Sequence, residues 1–424
     1  MMEEERMKIT IPNGKIRKAL EKGAQAAFTK EATDDDNLRI SPTLNCVKVE
    51  PTSEGLSFES HVSQMSIKHE VESAEDITVE CPEGICFDAS WVLKSCCMTA
   101  PDDRNIVLET TSIEVAEGAE EGKVYPNGKL TVSVTDQNGR ILSSWNDRTF
   151  STEDFADTSY PAKEEFATIK ASIFKQLIED VIFSANLSDY MEMLDNMAIL
   201  RRAGRLVLVC TNGKRCAIRT APEGAATLAE GEGKLMVKAD ILRRAVAAFS
   251  DDDDIVISDC GDGLNALLSA DGTTAKIAMP PVHARKKFPD ADKVLALEMS
   301  FSLDLKKSDL IEGLGYASKI NNQRGEYFVT GGEDQITIKS VDEGTTKSNE
   351  TMIFCGEIPQ SLTGNHIFLG NQAFIDFVKR LPGDTVKLSF TEDERRVRVE
   401  DPDLPDYVYV MQRMKPPELP SQEG

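Results

Sequence analysis

Two runs of aspartate, residues 34–36 and 251–254, are the first groups whose type and spacing could do chemistry. A divalent cation needs carboxylates that converge on it, and consecutive residues in a turn point apart. No nucleophile or base motif accompanies either run. Both read as solvated acidic turns, and no catalytic residue or metal ligand is assigned. His61, His69, His283 and His366 lack ligand spacing, and Gly331-Gly332 and Gly261-Asp262-Gly263 read as turns, without the surroundings of a phosphate loop. The nine cysteines contain no CxxC pair, which argues against a zinc ribbon or a disulfide framework. Cys96-Cys97 reads as packing, and no cofactor is expected.

The chemistry left is that of charge. The chain holds 48 Lys and Arg against 72 Asp and Glu, a net charge of −24, which argues against an overall basic coat. Six segments with apolar residues at helical spacing reverse that sign: residues 14–27, 89–98, 172–185, 241–249, 308–320 and 372–381. They carry eleven bases against six acids. The bases are Lys15, Arg17, Lys18 and Lys22, then Lys94, Lys175, Arg243 and Arg244, then Lys319, Lys379 and Arg380. A shared basic surface inside an acidic body would meet phosphates through salt-dependent contacts without reading bases.

The elements that position these residues repeat along the chain. Ile11, Ile169 and Leu305 each end a short alternating strand. Ile16, Phe174 and Leu310 lie five residues on, and Leu20, Ile178 and Leu314 four further. Between these copies, Ile85-Cys86-Phe87, Leu235-Met236-Val237 and Ile367-Phe368-Leu369 feed the other three helices. Each of those helices ends at an acidic or proline turn followed by a β-branched strand. Asp240 is read as an N-cap. Most of the remainder alternates as antiparallel strands. Asn212-Gly213 signals a two-residue type I′ hairpin, and Asp271-Gly272 is a second candidate.

The expected fold class is therefore α+β, with three tandem domains at 1–156, 160–290 and 297–415, each of two βαβ-type half-repeats. A Pro-rich tail at 416–424 is expected to be disordered. No apolar run reaches the ~18–20 residues of a membrane span, and the polar start is not a signal peptide. The chain reads as reduced, soluble and cytoplasmic.

The threefold duplication with two helices per domain resembles the bacterial DNA polymerase III beta subunit family, the sliding clamps, over roughly residues 7–415. Specific stretches are Leu194-Asp195-Asn196-Met197, Thr211-Asn212-Gly213-Lys214-Arg215, Phe288-Pro289-Asp290 with Val294-Leu295, and Tyr407-Val408-Tyr409-Val410-Met411. The resemblance implies a DNA-clamp fold with antiparallel sheets outside and two helices inside each domain. It also implies a head-to-tail homodimer, a six-domain ring around duplex DNA that is not an enzyme. Twelve lining helices ~10 Å apart give a diameter of ~38 Å at their axes, room for a duplex and a layer of water. Implied partners are sequence-independent double-stranded DNA, the DNA polymerase III catalytic subunit, the clamp-loader complex and other proteins carrying a clamp-binding motif. No membrane partner is expected.

For DNA the resemblance adds Arg39 to the helical cations. For partners it implies an apolar pocket of Leu194, Thr211, Gly213, Lys214, Arg215, Pro289, Lys293, Val294, Val410 and Met411. Adaptable apolar walls of this kind suit Leu and Phe anchors of an extended peptide. The chain departs from the family at Asn212, Lys214, Cys216 and Gln412-Arg413, where partner choice would differ. A clamp-fold interaction scaffold that does not encircle DNA is the alternative reading.

Overall fold

The structure is a computed structural model. It describes residues 7–412 except 29–42, 63, 81–83, 113–126, 153–154, 156–161, 186–194, 262, 279–287, 289, 320–326, 332–333, 342–347, 356–357, 359–365, 370–371 and 393–395. Among the expected features, Arg39, Leu194, Pro289, the aspartates at 34–36 and the tail at 416–424 lie outside the described residues. The chain divides into two compact units. One comprises Met1–Lys175, Ala225–Glu230 and Leu235–Ala284; the other comprises Gln176–Gly224, Gly231–Lys234 and Arg285–Gly424.

The first unit is built on two antiparallel sheets. One has five strands in the order Thr78–Glu80, Lys8–Pro12, Asn105–Ser112, Gly128–Thr135, Ile141–Thr149. The other has nine, in the order Ala226–Leu228, Glu164–Lys170, Asp254–Asp259, Ala266–Ala270, Thr273–Ile277, Met65–Glu72, Gly55–Val62, Cys46–Pro51, Ile85–Asp88. Strand alternation turns Ile9, Ile11, Leu130 and Val132 of the first sheet into a core shared with Val47, Val49, Phe58 and Phe87 of the second. Ile16 and Leu20 of helix α1 (Asn13–Gly23) close that core, as do Val92 and Leu93 of helix α2.

Helix α2 starts as one α turn, Ala89–Trp91, and continues as a π-helix, Val92–Cys97. Asp88 caps it by accepting from Trp91 N at 2.9 Å. The wider π turn reduces the angle between successive side chains, so Cys96 and Cys97 both enter the core. Burial pushes both thiols up to about 12, which keeps them protonated and inert. Asn13, fully buried at the start of α1, donates to Cys97 O at 2.9 Å and Ala100 O at 2.8 Å. Those bonds satisfy carbonyls that the end of α2 would leave open.

Helix α3 (Ala171–Ile182) runs across the division between the units, and helix α4 (Ala239–Val246) belongs to the first. The cap of α4 is Lys238, whose side chain makes no capping bond to the helix. Asp240 lies inside the first turn, a correction to its expected N-cap role, and its charge there suits the helix dipole.

In the second unit, seven strands of one antiparallel sheet run in the order Asn196–Arg202, Arg205–Thr211, Arg215–Thr220, Leu404–Gln412, Arg396–Asp401, Thr385–Phe390, Phe301–Lys306. A four-stranded sheet has the order Ser348–Phe354, Gln335–Val341, Tyr327–Gly331, His366–Leu369. Helices α5 (Ala291–Leu295), α6 (Lys307–Ser318) and α7 (Gln372–Arg380) complete it. A Cβ at Gly313 of α6 would sit 3.1 Å from Ile338 and 3.3 Å from Ile353, so glycine sets how closely that helix approaches the sheet.

Two turns differ from their sequence signals. Asp271-Gly272 has positive φ at both residues, as a type I′ hairpin requires. At Asn212-Gly213 only Gly213 does, because the Asn212 carboxamide accepts from Lys214 N and Arg215 N, both at 3.0 Å. That side-chain bond makes an Asx-type turn of four residues in place of the two-residue hairpin. Ala203-Gly204, with φ of 46° and 71°, is a positive-φ turn that its composition does not announce.

Candidate nucleic-acid interface and partner pocket

The helical cations fall into three groups. Lys18, Lys94 and Lys379 are exposed and form no ion pair with another described residue. Arg243 is exposed on α4 and Arg244 half-buried beside it; the apolar face of Ile241, Leu242, Ala245 and Val246 points them outward. The second group is held by protein partners. Lys15 pairs with Asp76 at 2.6 Å, and Arg17 with Asp102 at 2.7 Å. Lys175 pairs with Asp251 at 2.7 Å and donates to Phe249 O at 2.8 Å. Lys319 sits over the Tyr316 ring at 5.5 Å, and exposed Arg380 donates to Glu179 O at 2.8 Å.

Lys22 stands alone. It is buried, with Asp253 and Asp271 each 3.7 Å from its ammonium, and has no surface to offer a phosphate. It sits where α1 lies over the pairing of strands Met65–Glu72 and Thr273–Ile277, beside His69, whose Nδ1 is 2.9 Å from Thr273 Oγ1. Burial, then Lys22 and Lys18, lower the His69 pKa from 6.5 to about 4; Asp271 and Asp253 oppose this.

The sign follows from proton uptake. Between pH 6.5 and about 4 the unfolded chain binds a proton that folded His69 refuses, so stability falls as pH drops through that window. Replacing His69 with Gln should flatten urea-unfolding stability between pH 6.5 and 4.5 by about 2–3 kcal/mol relative to the parent. Parallel pH profiles for the two proteins would show that His69 is not the group.

The acidic run at 251–254 is spent on structure. Asp251 holds Lys175, Asp253 faces Lys22 and accepts from Ser250 N, and Asp254 pairs with Lys170 at 3.0 Å. These carboxylates turn toward separate lysines, which is the geometry of a braced turn.

A hollow of about 250 Å³ lies in the second unit. Eight of the ten residues expected in a partner pocket line it. Thr211, Gly213, Lys214 and Arg215 come from the hairpin, Lys293 and Val294 from α5, and Val410 and Met411 from the strand Leu404–Gln412. Register brings them together: Arg215 pairs with Met411 and Cys216 with Val410, while Gln412 N donates to Lys214 O at 2.8 Å. Cys216, Asp290, Leu297, Arg396 and Gln412 also line the hollow. Arg396 enters only because it pairs with Gln412 across the next strand, a relation without a local signal. Burial pushes the Cys216 thiol up to about 12, so the wall is a neutral thiol at physiological pH.

Hydrogen-bonded and aromatic contacts tie the residues beside the hollow together. Arg215 Nη2 donates to Phe183 O at 3.0 Å, and Tyr407 OH to Asp180 O at 2.6 Å. Arg219 Nε meets Asp180 at 3.1 Å, largely out of solvent, and its guanidinium lies 5.2 Å over the Tyr407 ring. Phe183, Phe377, Tyr407 and Tyr409 pack with ring centroids 4.7–6.2 Å apart.

No helix among the described residues is long and apolar enough to cross a membrane. No family model matches the sequence, and no curated protein matches it. Solved structures do. The DNA polymerase III beta subunit of Pseudomonas aeruginosa is 18% identical with a TM-score of 0.76, over 96% of this chain and 100% of that one. That of Streptococcus pyogenes is 17% identical at 0.74, over 96% and 100%; that of Thermotoga maritima is 14% identical at 0.72, over 96% and 99%. At these identities the likeness establishes the fold: the chain is folded as these beta subunits are, along nearly its whole length.

Proposed function

We propose that the chain is a DNA sliding clamp, a non-catalytic processivity factor of replication. Two copies close head to tail into a ring around duplex DNA and tether a replicative polymerase, a clamp loader and other motif-bearing partners in the cytoplasm. In this reading the three domains are 1–156, 160–290 and 297–415. The observation that carries it is a fold shared with DNA polymerase III beta subunits over 96% of the chain, with both partners' lengths matched.

Two features of the molecule support the details. The strands Ile141–Thr149 and Ser348–Phe354 each end a sheet in a different unit. Of seven large hydrophobics exposed among the described residues, four lie on them: Ile141, Leu142, Met352 and Phe354. Open sheet edges with apolar side chains favour pairing with another chain. In the head-to-tail arrangement, the edge of the first unit of one copy continues the edge of the second unit of the other. The partner peptide docks in the hollow by burying Leu and Phe anchors against Val294, Leu297, Val410 and Met411.

The direct test is retention. Loaded onto nicked circular duplex the protein stays; on linear duplex of the same length it slides off. Equal loss from both would favour the interaction scaffold, which the pairing of Lys15 and Lys175 with carboxylates also suits. Arg243→Glu with Arg244→Glu should weaken retention and reduce the slope of log affinity against log salt by at least about 2. An unchanged slope would remove α4 from the DNA-facing surface.

A further inference from the structure

The hollow in the second unit is apolar at its floor and cationic at its rim. Val294, Leu297, Val410 and Met411 form the apolar part, and Lys214, Arg215, Lys293 and Arg396 stand around it. Among the described residues that line it, Asp290 is the single acid, and it already has an interaction of its own. In a chain with 72 acids for 48 bases, a cation readily finds a carboxylate. Lys15, Lys68, Lys170, Lys175 and Arg205 have all found one, at 2.6–3.0 Å. Exposed Lys214, Lys293 and Arg396 have no such pair with another described residue. Arg215, half-buried beside them, spends its Nη2 on Phe183 O.

We infer that this hollow takes an extended peptide of a partner protein whose apolar anchor is flanked by carboxylates. The inference rests on the pocket reading above and adds the chemistry that selects its occupant. Unmatched cations around an apolar site draw in acidic segments and repel basic ones, so the rim acts as a filter on sequences sharing the same anchors. Basic tails of other DNA-binding proteins are thereby excluded even when they carry suitable leucines.

Three fluorescent peptides test this against the full chain by anisotropy. All share a Leu-x-Leu-Phe core, and their flanks are Glu-Glu, Ser-Ser or Lys-Lys. Affinity should fall in that order, with about a 10-fold gap between the acidic and basic peptides at low salt that narrows at high salt. Lys214→Glu with Lys293→Glu, both at exposed positions, should invert the order. Equal affinities for the three peptides would overturn the charge inference and leave the pocket standing. Failure of all three to bind would overturn the pocket reading and this inference with it. Binding of the acidic peptide only after removal of residues 413–424 would assign the site to the chain's own Glu418-Leu419, overturning a partner in trans.

Discussion

If the chain closes into the proposed head-to-tail ring, Leu142→Asp on its own is expected to dissociate it. Leu142 is 53% exposed on the edge strand Ile141–Thr149, so a carboxylate there is well solvated in the free chain and the fold should hold. In the ring the same carboxylate would be pressed against the apolar Met352 and Phe354 of the other copy. Stripping its water against an apolar edge costs several kcal/mol. The dimer dissociation constant should rise by at least about 100-fold, from roughly 3 kcal/mol of lost association energy.

Sedimentation at micromolar protein would show a particle near 46.7 kDa in place of one twice that mass. Phe354→Asp should do the same from the opposite edge. That equivalence discriminates arrangements, because a symmetric contact between two Ser348–Phe354 edges would be indifferent to Leu142. Retention on circular DNA should fall with the dimer, while the far-UV circular dichroism of the folded chain stays unchanged. A Leu142→Asp protein that remained dimeric would sink the head-to-tail ring.

The second large effect is expected at Asp180. Its side chain is 7% exposed and that of its partner Arg219 is 13% exposed, and Gln176 also donates to it at 2.7 Å. Asp180→Ala leaves the guanidinium buried against Tyr407 with its carboxylate removed. Loss of one member of a buried pair costs about 3–5 kcal/mol, because the other charge stays desolvated. The urea transition of the second unit should move down accordingly.

Removing both charges, as Asp180→Leu with Arg219→Met, should recover most of the loss, since the pair offsets little beyond its own desolvation. A single variant within about 0.5 kcal/mol of the parent would mean that the pair is solvated. Peptide affinity should fall in Asp180→Ala even at low denaturant, because Arg215 and Tyr407 both anchor to the end of α3.

What could be read from the sequence was local in range. The positions of Ile16 and Leu20, of Phe174 and Ile178, and of Leu310 and Leu314 repeat at the pitch of a helix. The structure buries all of them. A helix reports its buried face within one or two turns, so six helices were legible. Eight pocket residues were placed together by resemblance alone, through the order of short stretches that lie far apart along the chain. Strand Ile141–Thr149 escaped because its alternation is absent: it is an edge strand exposed along most of its length. A strand without a buried face has no apolar period to read.

Thus the sequence by itself determined the α+β class, the six helices and the cations they carry, and the positive-φ turn at Asp271-Gly272. Each depends on residues within about a dozen positions of one another. Only the tertiary structure decided which cations remain available. Lys22 looks like its neighbour Lys18 on the helix, yet Asp253 and Asp271 close over it from segments far along the chain. Likewise Arg396 and Leu297 join the pocket through strand pairing and helix placement, and Asn212 becomes an Asx turn by its own side-chain bonds. The physical reason is that charge and apolar periodicity are written along the chain, whereas burial and pairing depend on long-range register, which a local pattern does not encode.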